Sequence, residues 1–280
     1  MSWRISVEHV SRYRYASPAS ASYDEVRMTP LNEGRQTLLE SRLTTEPAAA
    51  LFSYRDYFGT TVHAFDLHES HQQLVVRSTS LVETAPARPP TSGIGFSELA
   101  DERLKDELSE YLLPTAYASL DGELAEAAVE IARGHTPAAA VVALCAFVRD
   151  SLAYEPGSTI VTTSALEAWN QKSGVCQDFA HLSLALLRAA GIPARYVSGY
   201  LHPDGSAGIG APVSGASHAW IEAYLGEWCS IDPTNGHDVG EQHVMVARGR
   251  DYADVAPFRG IYLGGGLEEL SVSVDIARLA

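Results

Sequence analysis

Residues 174–201 read GVCQDFAHLSLALLRAAGIPARYVSGYL. From Cys176 to about Ala190 the apolar residues recur at helical spacing. Gly191 ends that pattern, and Pro193 prevents its continuation. The segment ARYVSGYL that follows is rich in β-branched and aromatic residues and reads as a strand. Two more strand-like segments come next, SHAWIEAYL from Ser217 and EWCSIDPT from Glu227. Upstream, LDGELAEAAVEIARG has helical spacing and closes on Gly134. Thr136-Pro137 then introduces AAAVVALCAFVRDSL, with Pro137 at a tolerated first-turn position. The second half is therefore α+β, with helices first and an antiparallel sheet after them. The terminal LEELSVSVDIARL adds an alternating stretch, and no internal repeat is evident.

Residues 1–84 read differently. WRISVEHVSRYRY, YDEVRMTP, QTLLESRLTTEP, TTVHAFDLH and QQLVVRSTSLVE are short strand-like segments, separated by Ser17-Pro18, Asn32-Glu33-Gly34 and Phe58-Gly59. Such spacing predicts a β-sandwich. Three prolines in Ala85–Gly93 forbid regular structure there, so 85–93 reads as a linker. The expected division is a β-sandwich over 1–84, a linker over 85–93 and an α+β unit over 94–280.

The 280 residues are 46% hydrophobic and 20% charged, ordinary for a globular protein. No apolar run approaches the ~20 residues of a membrane span. MSWRISVEHV lacks the layout of a signal peptide, so the expected location is the cytoplasm. A net charge of −15, with no basic patch, argues against nucleic acid and other anionic partners. Cys145, Cys176 and Cys229 are too far apart for a CxxC zinc knuckle, and reduced thiols are the simplest reading.

Cys176 sits at the expected first residue of its helix. The partial positive charge and unpaired N–H groups of a helix start favour a thiolate, the nucleophilic form. The same N–H groups suit an oxyanion. The plainer alternative is a small buried cysteine. His181 does not serve as its base: a five-residue offset turns about 500° round the helix, about 140° net. Asp178 complements the helix dipole, so both read as structural.

The base must come from elsewhere, and His218 is the candidate. In SHAWIEAYL one strand face carries His218, Trp220, Glu222 and Tyr224, as in a cleft wall or a solvated surface. The other carries Ala219, Ile221, Ala223 and Leu225 and is core. The next strand contains Asp232, and the turn between decides its face. A two-residue turn pairs Ile221 with Asp232 and sends the acid into the core. A three-residue turn, Leu225-Gly226-Glu227, pairs Tyr224 with Trp228 and places Asp232 diagonal to His218. The three-residue turn is expected. Asn235 is the rival orienting residue, of opposite parity, so a regular strand offers only one of the two.

With those residues in place, GVCQDFAHLSLALLRAAGIPARYVSGYL and SHAWIEAYLGEWCSIDPTNG resemble the core of the transglutaminase-like superfamily. More narrowly, they resemble its bacterial transglutaminase-like cysteine proteases. Residues 1–84 are similar in kind to that family's N-terminal β-region, and Gly249–Val255, GRDYADV, to its tail motif. The resemblance implies a papain-like fold, with the cysteine on a helix packed against a sheet that carries histidine and acid. It implies a Cys176-His218-Asp232 triad and no cofactor. Cys176 would attack an amide or peptide carbonyl, His218 would take and return the proton, and Asp232 would orient the ring. The Cys176 N–H would be one oxyanion donor; Tyr154 and Trp169 are candidates for the second, with Gln171 a weaker third.

Three readings compete: a thiol hydrolase of peptide or other amide substrates, a transglutaminase-type acyltransferase sharing the same residues, and a binding module on the same scaffold. A metal site at His63, His68 and His71 lacks a recognised ligand spacing. Cys145 and Cys229 read as core.

Overall fold

The structure, a computed structural model, describes residues 2–91, 93–203 and 208–280. Met1 and Ser92, the latter inside the expected linker, lie outside the described residues. The N-terminal part contains β1 (Trp3–Val26), β2 (Gln36–Glu46), β3 (Phe52–Arg55), β4 (Thr61–Leu67) and β5 (His71–Thr84). A helical region follows: α1 (Phe96–Leu99), α2 (Glu102–Glu107), α3 (Gly122–Ala132) and α4 (Pro137–Ser151). After it come β6 (Ala153–Tyr154), α5 (Ala165–Gln171), β7 (Ser173–Gly174) and α6 (Cys176–Ala189). The last part holds β8 (Ala194–Leu201), β9 (Pro212–Tyr224), β10 (Trp228–Asp232), β11 (His237–Asp238) and β12 (His243–Gly249). It closes with α7 (Tyr252–Val255), β13 (Phe258–Gly264) and β14 (Leu267–Arg278). No described helix is long and apolar enough to cross a membrane.

β1 departs from the expected pair of strands split at Ser17-Pro18. It runs through that point, with the ladder to β5 interrupted between Arg14 and Ala19. Proline is tolerated where the ladder is already broken. The first part of β1 lies between β5 and β14, and the second pairs with β13 and β4. Tyr15, Ala19, Val26, Met28, Phe65, Leu67, Leu74 and Val76 form a buried cluster within this part.

The expected 94–280 unit does not keep all its strands to itself. β13 and β14 pair with β1. β14 also pairs with β9, from Val274–Gly215 to Ala277–Pro212, so twelve strands form one connected sheet. The alternation in SVSVDI announces a strand, but alternation does not name a partner. The expected linker is likewise docked. Gly93 N–H donates to Leu225 O at 2.8 Å and Ala87 N–H to Glu241 Oε2 at 3.3 Å.

The rest is a papain-like α+β arrangement. α6 is the central helix, and every residue from Gln177 to Arg188 is buried. Phe179, Leu182 and Leu186 share one core with Leu144 and Val148 of α4 and Ile221 and Ala223 of β9. Removing these side chains from water, at about 1.5–3 kcal/mol each, holds the helix on the sheet. Arg188 extends that hold: its guanidinium donates to Ala194 O, Leu113 O and Arg250 O. The tail motif lies against the helix as well. Tyr252 N–H donates to His181 Nε2 at 3.1 Å, and Arg250 grips Asp254 through Nε at 2.9 Å and a terminal nitrogen at 3.0 Å.

Candidate active site

Cys176 is the first residue of α6 and is partly exposed. As the first helical residue its N–H has no intrahelical acceptor. Asp178 steadies this helix start. Its Oδ2 accepts from Val175 N–H at 2.8 Å and from Thr159 Oγ1 at 2.6 Å. His181 faces away from the thiol, stacked on Tyr117 at 5.4 Å. Burial pulls its pKa down to about 3, so it is a neutral acceptor for Tyr252. Both residues have the structural roles that helix geometry assigns.

The hairpin carries the rest. Tyr224 pairs with Trp228, Ala223 with Cys229 and Ile221 with Ile231, the register of the three-residue turn. Leu225 N–H donates to Glu227 O at 2.9 Å across it, and Gly226 has φ +97°. Such a φ is open to glycine and strained for other residues. With that register His218 Nε2 lies 2.7 Å from Asp232 Oδ2. Nε2 is thereby committed to the acid, which leaves Nδ1 to meet the thiol. Burial alone lowers the pKa of His218. Hydrogen bonds to Asp232 and to the Cys176 side chain outweigh burial and hold it at about 9. Burial likewise opposes the charge on Asp232. The hydrogen bonds from His218 and His243 prevail and keep its carboxyl well below the usual range.

One expectation needs correction here. Asp232 and Asn235 are not alternatives. β10 ends at Asp232, whose Oδ1 accepts from Thr234 and Asn235 N–H at 3.0 and 3.1 Å. This turn carries the Asn235 side chain back, so that its Nδ2 lies 2.7 Å from Asp232 Oδ2 and 3.4 Å from His218 Nε2. Strand parity lapses once the strand stops. Of the two settings open to the His218 face of β9, a cleft wall or a solvated surface, the burial of its side chains rules out the second. Trp220 is 0% exposed and Glu222 3%. Glu222 is enclosed by Arg195 at 2.7 Å, Arg248 at 2.9 Å and Ser230 at 3.0 Å.

Beside His218 lies a cleft of about 470 Å³, lined by Tyr154, Leu201, Pro203, Ser214–His218, Thr234 and Asn235. Tyr154 is on its wall, 56% exposed, and β6 pairs it with Gly174 beside the helix start. Trp169 is not on that wall; it stacks on Phe147 at 5.6 Å and carries Lys172 Nζ 3.0 Å over its ring. The Gln171 amide donates to Ser158 O at 2.8 Å and Ser173 Oγ at 3.2 Å. Cys145 is buried, and desolvation pushes its thiol up to about 12; burial also raises Cys229.

His243 was not singled out by the sequence. It stands on β12, and its Nε2 is 3.3 Å from Asp232 Oδ2. His218, Asp232 and His243 bring ligand atoms within 4.8 Å of one another, the grouping of three metal-capable side chains found among the described residues. Both imidazole nitrogens face one carboxylate oxygen at hydrogen-bond distances, the pattern of a hydrogen-bonded cluster. His63, His68 and His71 form no such grouping.

A partly exposed thiol at a helix start, facing a histidine–carboxylate pair on an antiparallel sheet, defines the papain-like class of α+β proteins. The profile of the transglutaminase-like superfamily matches residues 125–233, and that of the bacterial transglutaminase-like N-terminal region matches 5–83. An uncharacterized protein of Mycobacterium leprae is 49% identical over 99% of this chain and 100% of its own length. One from Mycobacterium tuberculosis is 35% identical over 98% of this chain and 92% of its own. The chain belongs to the transglutaminase-like superfamily, whose members are typically cysteine-dependent enzymes. A Pseudomonas aeruginosa protein-glutamine gamma-glutamyltransferase is 40% identical over a segment covering 24% of this chain and 10% of that protein. The crystal structure of a candidate cysteine protease from Cytophaga hutchinsonii has the same fold, with a TM-score of 0.76 at 24% identity, over 100% of this chain and 93% of that one.

Proposed function

We propose that this protein is a thiol hydrolase that cleaves an amide or peptide bond through Cys176, His218 and Asp232. The observation that carries the reading is the position of His218, between the Cys176 thiol and a buried carboxylate 2.7 Å from its far nitrogen. In the proposed cycle the Cys176 thiolate adds to the carbonyl carbon. The oxyanion takes the Cys176 N–H at the helix start and the Tyr154 hydroxyl from the cleft wall. The His218 imidazolium gives its proton to the leaving amine and the C–N bond breaks, leaving a thioester. Water, entering by the open cleft, loses a proton to His218 and releases the acid. Asp232 holds the ring and balances its charge.

A second reading is favoured by the similarity to the Pseudomonas aeruginosa gamma-glutamyltransferase: an amine, instead of water, accepts the acyl group. One experiment addresses both. Glutamine-containing peptides are incubated with and without a primary amine, and products are weighed by mass spectrometry. Chain cleavage or deamidation indicates hydrolysis; amine incorporation indicates transfer. Cys176→Ala is expected to abolish either. The whole reading falls if a small vinyl sulfone labels Cys176 no faster than Cys145 or Cys229.

A further inference from the structure

Asp232 Oδ2 has three neighbours with hydrogens to give: His218 Nε2 at 2.7 Å, Asn235 Nδ2 at 2.7 Å and His243 Nε2 at 3.3 Å. His243 is 4% exposed. Gly240 N–H donates to its Nδ1 at 3.3 Å. An imidazole that accepts at Nδ1 carries its hydrogen on Nε2. The tautomer is thus set, and the hydrogen points at the acid. Burial holds the pKa of His243 below the usual value, which keeps the ring neutral. The charged or titratable groups that face it are Asp232, His218 and His237.

The source of the Gly240 contact lies outside the α+β core. Glu241 O accepts from Thr84 Oγ1, at the end of β5, at 2.6 Å. Glu241 Oε2 accepts from Ala87 N–H. Gly240 packs so closely on the same segment that a Cβ there would lie 2.8 Å from Ala87. One residue past His243 and Val244, Met245 exchanges hydrogen bonds with the Gln36 side chain, N–H to Oε1 at 2.8 Å and Nε2 to O at 2.9 Å. Both ends of the segment that presents His243 are therefore held by the N-terminal strands and the chain leaving them.

We infer that His243 is a positioning residue, by which the N-terminal strands and Ala87 just beyond them fix the carboxylate of Asp232 against His218. It touches no reacting atom; it acts through Asp232. The inference rests on the thiol-enzyme reading above. A further consequence is that the N-terminal part contributes to the chemistry by buttressing, without supplying a residue to the cleft.

The test compares full-length wild type, His243→Gln, His243→Asn and His243→Leu, measuring the inactivation rate by a small vinyl sulfone from pH 5 to 10.5. In this addition the thiolate sulfur bonds the β-carbon, and the imidazolium proton goes to the carbon beside the sulfone. Glutamine can present an amide N–H where Nε2 stood; asparagine is one carbon shorter and cannot reach Asp232. Wild type and His243→Gln are expected to share one profile, falling above about pH 9 with the loss of the His218 proton. His243→Asn and His243→Leu are expected to react roughly tenfold or more slowly, as displaced catalytic groups do, with that limb moved to lower pH. If His243→Asn keeps the wild-type rate and limb, the inference is overturned, whatever becomes of the leucine variant. A purely structural role would lower Tm in Asn and Leu without moving the limb, and that too overturns it. A wild type that labels no faster than its other cysteines defeats the underlying reading instead.

Discussion

At the scale of single residues, the Cys176–His218–Asp232 line is an exercise in charge held out of water. Asp232 is 0% exposed and accepts five hydrogen bonds, which is what keeps it ionised there. Asp232→Asn removes the charge but keeps the shape. Burial on His218 is then opposed by Cys176 alone, and its pKa is expected to fall from about 9. Vinyl-sulfone inactivation at pH 7 should drop at least tenfold, with the basic limb displaced downward; an unmoved limb would refute the pairing. The same pair sets a stability window. His218 is raised, so its contribution is whole below pH 6.5 and is lost as pH rises through about 9. Asp232 is depressed, so its contribution is present above its ordinary 3.8 and lost as pH falls below it. Tm should therefore decline between pH 7 and 10, and more steeply in wild type than in Asp232→Asn.

At the scale of elements, the hairpin β9–β10 decides whether histidine and acid meet. Successive side chains on a strand face opposite ways, so a slip of one residue transfers Asp232 to the core face. Deleting Cys229 keeps the Tyr224–Trp228 pair but brings Asp232 opposite Ile221, on the core face, and is expected to abolish activity while the far-ultraviolet circular dichroism stays that of a folded protein. Retained turnover would show that the register does not matter. On the helix side, Arg188 answers three carbonyls at once. Arg188→Leu strands them away from water, at about 1–3 kcal/mol per group. Tm should fall by roughly 5 °C or more, and the 250–255 segment should become protease-sensitive; an unchanged Tm would disprove its role as a clamp.

At the scale of the whole molecule, β1 is built between strands from both ends of the chain, and β14 joins β1 to β9. The N-terminal strands and the α+β core therefore share a sheet as well as a docked linker. Chemical unfolding is expected to show one transition by both tryptophan fluorescence and circular dichroism. Two separated transitions would mean independent units. A chain cut to residues 94–257 loses the neighbours of β9 and β12, and is expected to aggregate rather than fold, by size-exclusion chromatography. A soluble monomeric 94–257 with wild-type labelling of Cys176 would refute this.

Much of the local structure was legible in the sequence: the helix from Cys176 closed by Gly191, the strand ARYVSGYL, and the hairpin whose three-residue turn was read from the need to bring Asp232 to the face of His218. These rest on periodicity and turn chemistry, which act over a few residues. The sequence by itself determined which elements form, and that a thiol would stand at a helix start. The tertiary structure alone decided which strands are neighbours, that Asn235 joins Asp232 once β10 ends, that Trp220 and Glu222 are buried, and that His243 reaches the acid. The reason is physical. Helical and strand periods are set by the backbone, but the partners of an edge or a buried polar atom are set by side chains that the chain brings together from far apart.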